Sequence, residues 1–476
     1  MSERIVVIGA GPGGYVAAVR AAQAGASVTL IEKYNVGGTC LNYGCIPSKI
    51  FKKSADLIGS INKASDFGIA LSEKATPDIV KLQKRKATIL NSQSKGIEGL
   101  LKHHNVEHIK GEAYIKGPGE VAIDLLEGGS TLANWDKLII ATGTIPFNVP
   151  AFPFDGDRVI SSDHLLDMTD IPESIVVIGG GVIGCEFAFI LSALGSKVTV
   201  VEAMSRVLPL PSVDIDCSSI LQREMKKRKI KFHVNRIVDT IDVSENGIKA
   251  VTIPSPFAEK VKEKDKAPLE IEAQKVLVCI GRTPVNKIGL ENIGVETDEK
   301  GWIKVNEKME TNISGVYAIG DIIGPEKVML AHVASTEAEV AVDNAMGKDK
   351  TMNYDVIPGA VFTMPEIGNV GHTHETATEA GLEVRSDVIL FRTLGKAQVL
   401  GEIAGQLKLV SEISTGKIVG VHIIGPQATD LLGEGVLAVQ KGVTVKELSE
   451  TIHAHPTLSE SMLEASFKAL DYGLHS

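Results

Sequence analysis

The chain has 476 residues, of which 44% are hydrophobic and 23% charged, and it carries a formal net charge of −10. This length predicts about three domains, and an acidic chain without a basic block is poorly suited to bind nucleic acid or anionic membranes. It lacks an uncharged apolar run of the roughly 18 residues that a membrane-spanning helix needs, and its five cysteines are too few for a secreted disulfide scaffold. We therefore expect a cytoplasmic protein.

The first predicted element is a strand, a tight turn and a helix, in the segment "IVVIGAGPGG" that begins at Ile5. The segment "IVVIGGGVIG" repeats it from Ile175, and each copy leads to a second predicted strand that ends in an acid, Glu32 or Glu202. The motif glycines are Gly9, Gly11, Gly14, Gly179, Gly181 and Gly184. Glycine permits the turn and lets the backbone approach a pyrophosphate at the helix N-terminus, and the acid can accept hydrogen bonds from a ribose. The sequence therefore predicts two dinucleotide-binding folds.

The acid of the second copy also distinguishes between nicotinamide cofactors. A carboxylate at Glu202 would repel a 2′-phosphate, so we expect NAD rather than NADP, and glycine rather than alanine at Gly184 agrees with this. Glu32 suits the ribose of any adenine dinucleotide, so the first copy by itself leaves FAD and NAD open.

Two cysteines lie close together in "GGTCLNYGCIPSK", which runs from Gly37 to Lys49. One regular helix would separate Cys40 and Cys45 by roughly 7.5 Å along its axis, beyond disulfide reach, so the chain between them must bend. Pro47 suits the first turn of a following helix, whose dipole, together with Lys49, would stabilise a thiolate at Cys45. Cys40, on the preceding loop, would be the more accessible thiol. Zinc would need a second Cys/His pair, which the sequence lacks, so we predict a redox pair and no metal site; the alternative is two unrelated buried cysteines.

Three further predicted strands end in residues suited to a ligand site. "KLIIATG" ends at Gly143, "KVLVCIG" at Gly281, and "GVYAIGD" at Asp321, whose carboxylate could hold a ribitol or phosphate-linked hydroxyl. Doubly wound sheets bind ligands at the carboxyl ends of their strands, although each of these residues could also be a simple strand-to-loop residue. The lysine-rich segment 254–268 is interpreted as an exposed loop.

From about Asn353 the pattern changes to short strands followed by a helix, which predicts a separate α+β domain. Near its end, "HAHPTLSE" contains His455, which could be the base that thiol exchange requires. Pro456 suits a first helical turn, so Glu460 would follow about one turn later and could orient the imidazole. The alternative is a histidine with only a structural role.

Together these motifs resemble those of the pyridine nucleotide-disulfide oxidoreductase family of flavoproteins, in the same order and over essentially the whole chain. The resemblance depends on "GGTCLNYGCIPSK", the two glycine motifs, "ATG", "GVYAIGD", "MLAH" and "HAHPTLSE". It implies an α/β fold with two Rossmann-like FAD- and NAD-binding domains plus a C-terminal α+β dimerisation domain. The implied segments are 1–150 for FAD, 151–280 for NAD, 281–352 for a central segment that completes the FAD-binding region, and 353–476 for the interface domain.

The resemblance also implies the roles of individual residues. Cys40 would be the interchange thiol, Cys45 the flavin-facing charge-transfer thiol, and His455 the base, with Glu460 as its partner. The His–Glu pair would serve the cysteines of the other subunit of a homodimer. Beside the motif glycines, the implied cofactor-binding residues are Glu32, Thr39, Lys49, Ala113, Gly143, Glu186, Glu202, Gly281, Asp321, Met329, Leu330, Ala331 and His332.

Within these cofactor sites the resemblance places Lys49 and Glu186 near the reactive edge of the flavin. Glu32, Asp321 and the segment 329–332 would hold FAD, and Glu202 and Gly281 would hold NAD. The implied activity is the oxidation of protein-bound dihydrolipoamide to lipoamide with reduction of NAD+ to NADH. Implied partners are the lipoyl domains of 2-oxoacid dehydrogenase complexes or of the glycine cleavage system, and a docking role in such an assembly is compatible with catalysis.

Other members of the family agree less well with the sequence. Glutathione and trypanothione reductases are expected to use NADP, which Glu202 opposes. Mercuric reductase is expected to carry a C-terminal cysteine pair, whereas the last cysteine here is Cys279, and a flavoprotein transhydrogenase would lack the redox cysteines. The sequence departs from the family pattern at Val285, where asparagine is common, and at Tyr43, which is bulkier than the usual small aliphatic residue.

Overall fold

The computed structural model describes residues 2–259, 263 and 266–473. The chain divides into two compact units, one made of Met1–Ile50, Asp78–Phe147 and Gly281–Tyr354, and the other of Phe51–Pro77, Asn148–Ile280 and Asp355–Ser476. The segment 254–268, predicted as an exposed loop, lies partly outside the described residues, and in its described part Phe257 is 67% exposed. Among the described residues, no helix combines the length and the apolar character needed to cross a bilayer.

The regular elements alternate between strands and helices along most of the chain. The strands are β1 (Arg4–Ile8), β2 (Ser27–Glu32), β3 (Glu107–Gly117), β4 (Glu120–Leu125), β5 (Ser130–Asn134), β6 (Lys137–Ile140), β7 (Thr144–Pro146), β8 (Val159–Ile160), β9 (Ser174–Ile178), β10 (Lys197–Val201), β11 (Lys231–His233), β12 (Arg236–Ser244), β13 (Gly247–Pro254), β14 (Leu269–Ala273), β15 (Lys275–Val278), β16 (Arg282–Pro284), β17 (Val316–Ala318), β18 (Gly359–Val361), β19 (Glu366–Gly371), β20 (Val384–Leu390), β21 (Gln406–Glu412) and β22 (Ile418–Gly425). The helices are α1 (Pro12–Gln23), α2 (Gly38–Asn42), α3 (Cys45–Asn62), α4 (Ile79–His103), α5 (Ser162–Leu166), α6 (Val182–Leu194), α7 (Ile215–Lys227), α8 (Ala331–Ala345), α9 (His374–Glu379), α10 (Gly395–Leu400), α11 (Ala428–Lys441), α12 (Val445–Ser449) and α13 (Glu460–Ala469).

The first unit is built on a sheet with the strand order β17-β6-β1-β2-β3-β4-β5. Its strands from β17 to β3 run parallel, and β4 and β5 continue it antiparallel. Ile5 and Val7 of β1 are fully buried, as expected for a central parallel strand that is covered on both faces. The strand order reverses beside β1, so the carboxyl ends of β1, β2 and β6 form the edge at which doubly wound folds bind nucleotides.

The second unit contains a parallel sheet with the order β11-β10-β9-β15-β8. Its central strand β9 repeats the register of β1, because Ile175 lies opposite Val198 and Lys275 just as Ile5 lies opposite Val28 and Lys137. The internal repeat predicted from the sequence is therefore confirmed. An antiparallel sheet, β12-β13-β14, follows, and apolar residues of both sheets form one core.

A short antiparallel pair, β7 with β16, lies at the points where the chain leaves the first unit and returns to it. The pair sets Thr144 opposite Pro284 and Arg282 opposite Pro146. Hydrogen bonds from the Arg282 guanidinium to the Thr144 hydroxyl (2.7 Å) and carbonyl (2.9 Å) hold the two strands together. The two connections are therefore fixed to each other by main-chain and side-chain hydrogen bonds.

The C-terminal part of the second unit is an antiparallel sheet, β18-β19-β22-β21-β20, with α11, α12 and α13 contributing to its core. The short strands and the following helix that were predicted after about Asn353 are confirmed by β18, β21, β22 and α11. An added Cβ at Gly435 of α11 would lie 3.0 Å from the Val421 side chain of β22, so this helix sits close against the sheet.

A buried ion cluster connects α7 to strand β21 within the second unit. The Lys408 ammonium lies 2.8 Å from both carboxylate oxygens of Asp214 and 2.7 Å from an oxygen of Asp216. The side chain of Asp214 is completely buried and that of Lys408 is 9% exposed. Asp214 also caps α7, because its carboxylate accepts the backbone N–H of Asp216 at 2.9 Å.

Candidate active site

The turn between β1 and α1 can be formed only with glycine at two of the predicted positions. Gly9 has φ +98°, and a Cβ there would lie 2.4 Å from the carbonyl oxygen of Ala141. A Cβ on Gly14 would lie 1.8 Å from the carbonyl oxygen of Gly9. Gly11, the N-cap of α1, is different, because an added Cβ there would meet only Gly38 Cα, at 3.9 Å. The helix N-terminus therefore opens onto space that a pyrophosphate can fill.

The second copy of the motif repeats this geometry closely. Gly179 has φ +102°, and its added Cβ would lie 2.5 Å from the carbonyl oxygen of Cys279. The added Cβ of Gly184 would lie 1.9 Å from the carbonyl oxygen of Gly179, and around that of Gly181 there is no atom within 4 Å. Both turns thus fit an adenine dinucleotide by the same criterion, a crowded turn with an open glycine at the helix N-terminus.

The two acids have a structural role that the sequence did not reveal. Glu32 accepts the backbone N–H groups of Ala10 (2.6 Å) and Tyr34 (2.8 Å), and Glu202 accepts those of Gly180 (2.5 Å) and Met204 (2.8 Å). Burial raises the pKa of Glu32, although the backbone N–H groups of Ala10 and Tyr34 oppose the shift. Each acid therefore fixes the backbone of its own glycine turn.

The cysteine pair lies at the junction of two helices. Cys40 is in α2 and Cys45 is the first residue of α3, with Pro47 in its first turn as predicted. Two expectations were wrong: Cys40 lies in a helix rather than on a loop, and Cys45 is the exposed thiol while Cys40 is partly buried. The cause is Asn42, whose amide donates to the carbonyl oxygens of Val36 (3.1 Å) and Gly38 (2.9 Å) and folds this segment into a compact turn around Cys40.

The two thiols are hydrogen-bonded to each other and do not form a disulfide in this structure. The hydrogen bond with Cys45, burial, and the charge of Cys45 raise the pKa of Cys40, while the charge of Lys49 and the backbone N–H of Cys45 oppose that rise. Tyr15 of α1 also lies within electrostatic range, since burial and then the charge of Cys40 raise the pKa of Tyr15. Sequence reasoning missed Tyr15, for which the only signal was its place directly after the first glycine motif.

Asp321 lies in a 3₁₀ turn, Gly320–Ile323, directly after β17. Its carboxylate accepts the Thr144 hydroxyl at 3.0 Å, so the Thr144–Arg282 bonds of the β7–β16 pair also hold this acid. The turn is fixed a second time by Glu337 of α8, which is 1% exposed and accepts the N–H of Gly320 at 2.7 Å. The roles of Thr144 and Glu337 could not be inferred from the sequence, because both act through contacts between distant segments.

The remaining predicted cofactor residues of the first unit lie on several elements. Thr39 is in α2, Lys49 in α3, Ala113 in β3, and Gly143 follows β6 with φ +66°. Lys49 donates to the Ser48 hydroxyl at 3.3 Å. The segment Met329, Leu330, Ala331 and His332 leads into α8, which begins at Ala331 and has Leu330 as its N-cap.

Helix α8 also packs against α1, since an added Cβ on Gly13 would lie 3.2 Å from the carbonyl oxygen of Ala334. The first glycine turn and the 329–332 segment therefore lie at the N-termini of two helices that pack against each other.

In the second unit Glu186 of α6 is buried, and its carboxylate accepts the N–H of Phe362 at 2.9 Å. Gly281, with φ +134°, belongs to the first unit, where its carbonyl oxygen accepts the N–H of Phe147 at 3.0 Å. The predicted NAD residues Glu202 and Gly281 are thus assigned to different units.

The His–Glu pair of the second unit forms as the sequence predicts. His455 Nδ1 lies 2.8 Å from Glu460 Oε1, and Glu460 Oε2 accepts the N–H of Thr457 at 2.8 Å. The His455 side chain is 78% exposed, and because Nδ1 is engaged by the carboxylate, Nε2 is the ring atom that can take up a proton. One detail was wrong: α13 begins at Glu460 itself, so Pro456 lies before the helix, because Glu460 turns back to bind the loop.

Comparisons with known proteins give matches that cover nearly the whole chain. Residues 3–338 match the family model described as pyridine nucleotide-disulphide oxidoreductase, and residues 357–466 match its dimerisation domain. A mitochondrial dihydrolipoyl dehydrogenase of Pisum sativum is 38% identical over 99% of this chain and 92% of its own length, and one of Bacillus subtilis is 37% identical over 99% and 97%. The crystal structure of LpdA from Mycobacterium tuberculosis superposes with a TM-score of 0.89 at 28% identity, over 98% of this chain and 99% of that one.

Proposed function

Because the chain belongs to the pyridine nucleotide-disulphide oxidoreductases, we infer that it oxidises protein-bound dihydrolipoamide to lipoamide and reduces NAD+ to NADH, as its dihydrolipoyl dehydrogenase relatives are named to do. FAD and NAD are its cofactors. The observation that carries the inference is the contact between the Cys40 and Cys45 thiols, in a chain that also contains two complete nucleotide turns. When bound, FAD accepts two electrons from the thiol pair and delivers a hydride to NAD+.

The cysteines and the His–Glu pair divide the thiol chemistry between them. In the oxidised enzyme Cys40 and Cys45 share a disulfide, and one substrate thiol, deprotonated by His455 Nε2, attacks the Cys40 sulfur and releases Cys45 as a thiolate. The second substrate thiol then attacks the substrate sulfur of the mixed disulfide, closes lipoamide and expels Cys40, which takes up the proton that this thiol gives up. Glu460 orients the imidazole and stabilises its protonated form, which agrees with the 2.8 Å contact at Nδ1.

Lys49 favours a negative charge on the cysteine pair, because its charge opposes the rise in the pKa of Cys40. Lys49 and Glu186 are proposed to lie near the reactive edge of the flavin.

The choice of NAD over NADP is assigned to Glu202. Its carboxylate is held in place by two backbone N–H groups, at 2.5 and 2.8 Å, so it cannot easily turn away from a ligand. A 2′-phosphate would meet that negative charge, whereas a ribose hydroxyl can donate to it.

The proposed binding regions follow the order of the motifs. Residues 1–150 with 281–352 are proposed to bind FAD, 151–280 to bind NAD, and 353–476 to form the subunit interface. FAD is assigned to the first glycine turn, Glu32, Asp321 and the 329–332 segment. The match of residues 357–466 to a dimerisation domain supports a homodimer, in which the His–Glu pair of one subunit serves the cysteines of the other.

As partners we propose lipoyl domains of a 2-oxoacid dehydrogenase complex or of the glycine cleavage system. Their dithiol is the substrate that the cysteine pair exchanges with. Association with a lipoylated acyltransferase would distinguish the first partner from the second.

The test is an anaerobic assay of the flavin-loaded protein with dihydrolipoamide and either NAD+ or NADP+. We expect absorbance at the NADH maximum to rise with NAD+ and to stay near background with NADP+. A protein that takes up FAD but reduces neither nucleotide would contradict the proposed activity, and a preference for NADP+ would contradict the role of Glu202.

A further inference from the structure

A second histidine–carboxylate contact lies two residues before His455. His453 Nε2 is 2.8 Å from Glu434 Oε1, and His453 Nδ1 is 2.9 Å from the carbonyl oxygen of Thr451. The His453 side chain is 5% exposed, in contrast to the 78% of His455. The two histidines of "HAH" therefore differ: one is buried with both ring nitrogens engaged, and the other presents its ring to solvent.

The segment between α12 and α13 has no regular structure that would hold it. On its C-terminal side it is fixed by Thr457, which donates to Glu460 and Ala454, and by the buried Leu458. On its N-terminal side, the ring of His453 bridges the loop carbonyl at Thr451 and helix α11. His455 lies between these two attachments.

Helix α11 is a rigid support for such an attachment. Glu434 is followed by Gly435, whose close approach to the Val421 side chain of β22 fixes the distance between helix and sheet. The carboxylate of Glu434 is 32% exposed, so its hydrogen bond to His453 is partly shielded from competition by water. A hydrogen bond to a charged acceptor on a packed helix holds a loop more firmly than a contact between two loops would.

We propose that His453 and Glu434 form a positioning pair, which holds the main chain of residues 451–455 so that the imidazole of His455 meets the substrate thiol. The proposal rests on the proposed function, in which His455 is the base. His453 itself takes no proton from the substrate, since both its ring nitrogens are already engaged.

The variants Glu434→Gln, His453→Gln and the double variant test the pair in the dimeric holoenzyme. We expect turnover of dihydrolipoamide with NAD+ to fall about 10- to 100-fold in each single variant, because misplacing a reacting group by about 1 Å has effects of this size. The double variant should fall no further than the single ones, because the two residues act as one unit. Reduction of a dye by NADH, which needs no thiol exchange, should stay within about twofold of wild type. The control is His374→Gln, which removes a histidine hydrogen-bonded at 3.0 Å to the Ser386 hydroxyl in the same unit.

A second measurement does not depend on activity. Amide hydrogen exchange of residues 451–457 should accelerate about tenfold or more in Glu434→Gln and remain unchanged in His374→Gln. Unchanged exchange in this segment would overturn the proposal, and so would faster exchange with normal turnover. If the wild type itself fails to oxidise dihydrolipoamide, the proposed function fails, while the exchange result still decides whether the pair holds the loop.

Discussion

Among the hydrogen bonds and ion pairs of the described residues, Lys408 is the only cation that contacts the buried carboxylate of Asp214. The variant Lys408→Met removes it. The Asp214 side chain is fully buried, so its charge would be left without an ion-pair partner, although it would still accept the backbone N–H of Asp216. Breaking a buried pair in this way costs about 3–5 kcal/mol. The second unit has about 280 residues, so its unfolding entropy is about 0.6 kcal/mol/K and 1 kcal/mol shifts its melting temperature by about 1.7 °C. We therefore expect the second unit to melt roughly 5–8 °C lower.

The pH dependence of that loss follows from the two ends of the pair. Burial alone would lower the pKa of Lys408, but the hydrogen bonds to Asp214 and Asp216 outweigh it and raise the pKa. The contribution of Lys408 to folding stability is therefore complete below its unfolded pKa of about 10.4, and it is lost as the pH rises through the pKa of the folded state. The same lysine lowers the pKa of Asp216, so the contribution of Asp216 is lost as the pH falls below about 4. The difference between wild type and variant should thus be nearly constant from about pH 5 to pH 9.

Differential scanning calorimetry of the holoenzyme is the assay, with Lys417→Met, an exposed lysine of the same unit, as the matched control. We also expect Lys408→Met combined with Asp214→Asn to melt above the single variant, because asparagine retains a cap for α7 without leaving a buried charge. If Lys408→Met melts within about 1 °C of Lys417→Met, the cluster contributes little and the reasoning is refuted.

Four further predictions concern the site and one helix cap. His455→Gln should lower dihydrolipoamide turnover about 10²- to 10⁴-fold and leave reduction of a dye by NADH nearly intact; equal losses in the two assays would contradict its role as base. Cys40→Ser should abolish turnover and prevent the disulfide. Thiol titration of the oxidised enzyme should then find one more free thiol in the variant than in the wild type, whereas one fewer free thiol in the variant would argue against the redox pair. Glu202→Ala should raise the KM for NAD+ about tenfold or more, with the KM for dihydrolipoamide unchanged as the internal control. Thr444→Ala removes the capping box of α12 and should lower the free energy of unfolding by about 1 kcal/mol without a change in turnover.

The parts of the fold that could be predicted are those determined by local chemistry. The Gly9 and Gly179 turns admit no side chain, and the strands that precede them are continuous runs of buried apolar residues. These constraints act within about 30 residues of chain, so both nucleotide-binding turns could be predicted from their glycine motifs.

Contacts between distant segments could not be predicted. Lys408 and Asp214 are 194 residues apart in the sequence, and neither is unusual in its local pattern. The exposure of Cys40 and Cys45 was predicted in reverse for a different, local reason, because the side chain of Asn42 bonds back to Val36 and Gly38 and closes the turn. His453 lies in a motif that drew attention to its neighbour, and its own role depends on Glu434, which only the folded chain brings near.

The sheet of the first unit also sets the order of events while the chain is being made. Strand β6 ends at Ile140, and its neighbour β17 does not begin until Val316. At a synthesis rate of about 5–20 residues per second, the ribosome needs roughly 10–35 seconds to cover this interval. During that time the edge of β6 has no β17 beside it, so the intervening residues can fold before β17 pairs with it. A chain that terminates early would keep this strand edge unpaired and prone to aggregation.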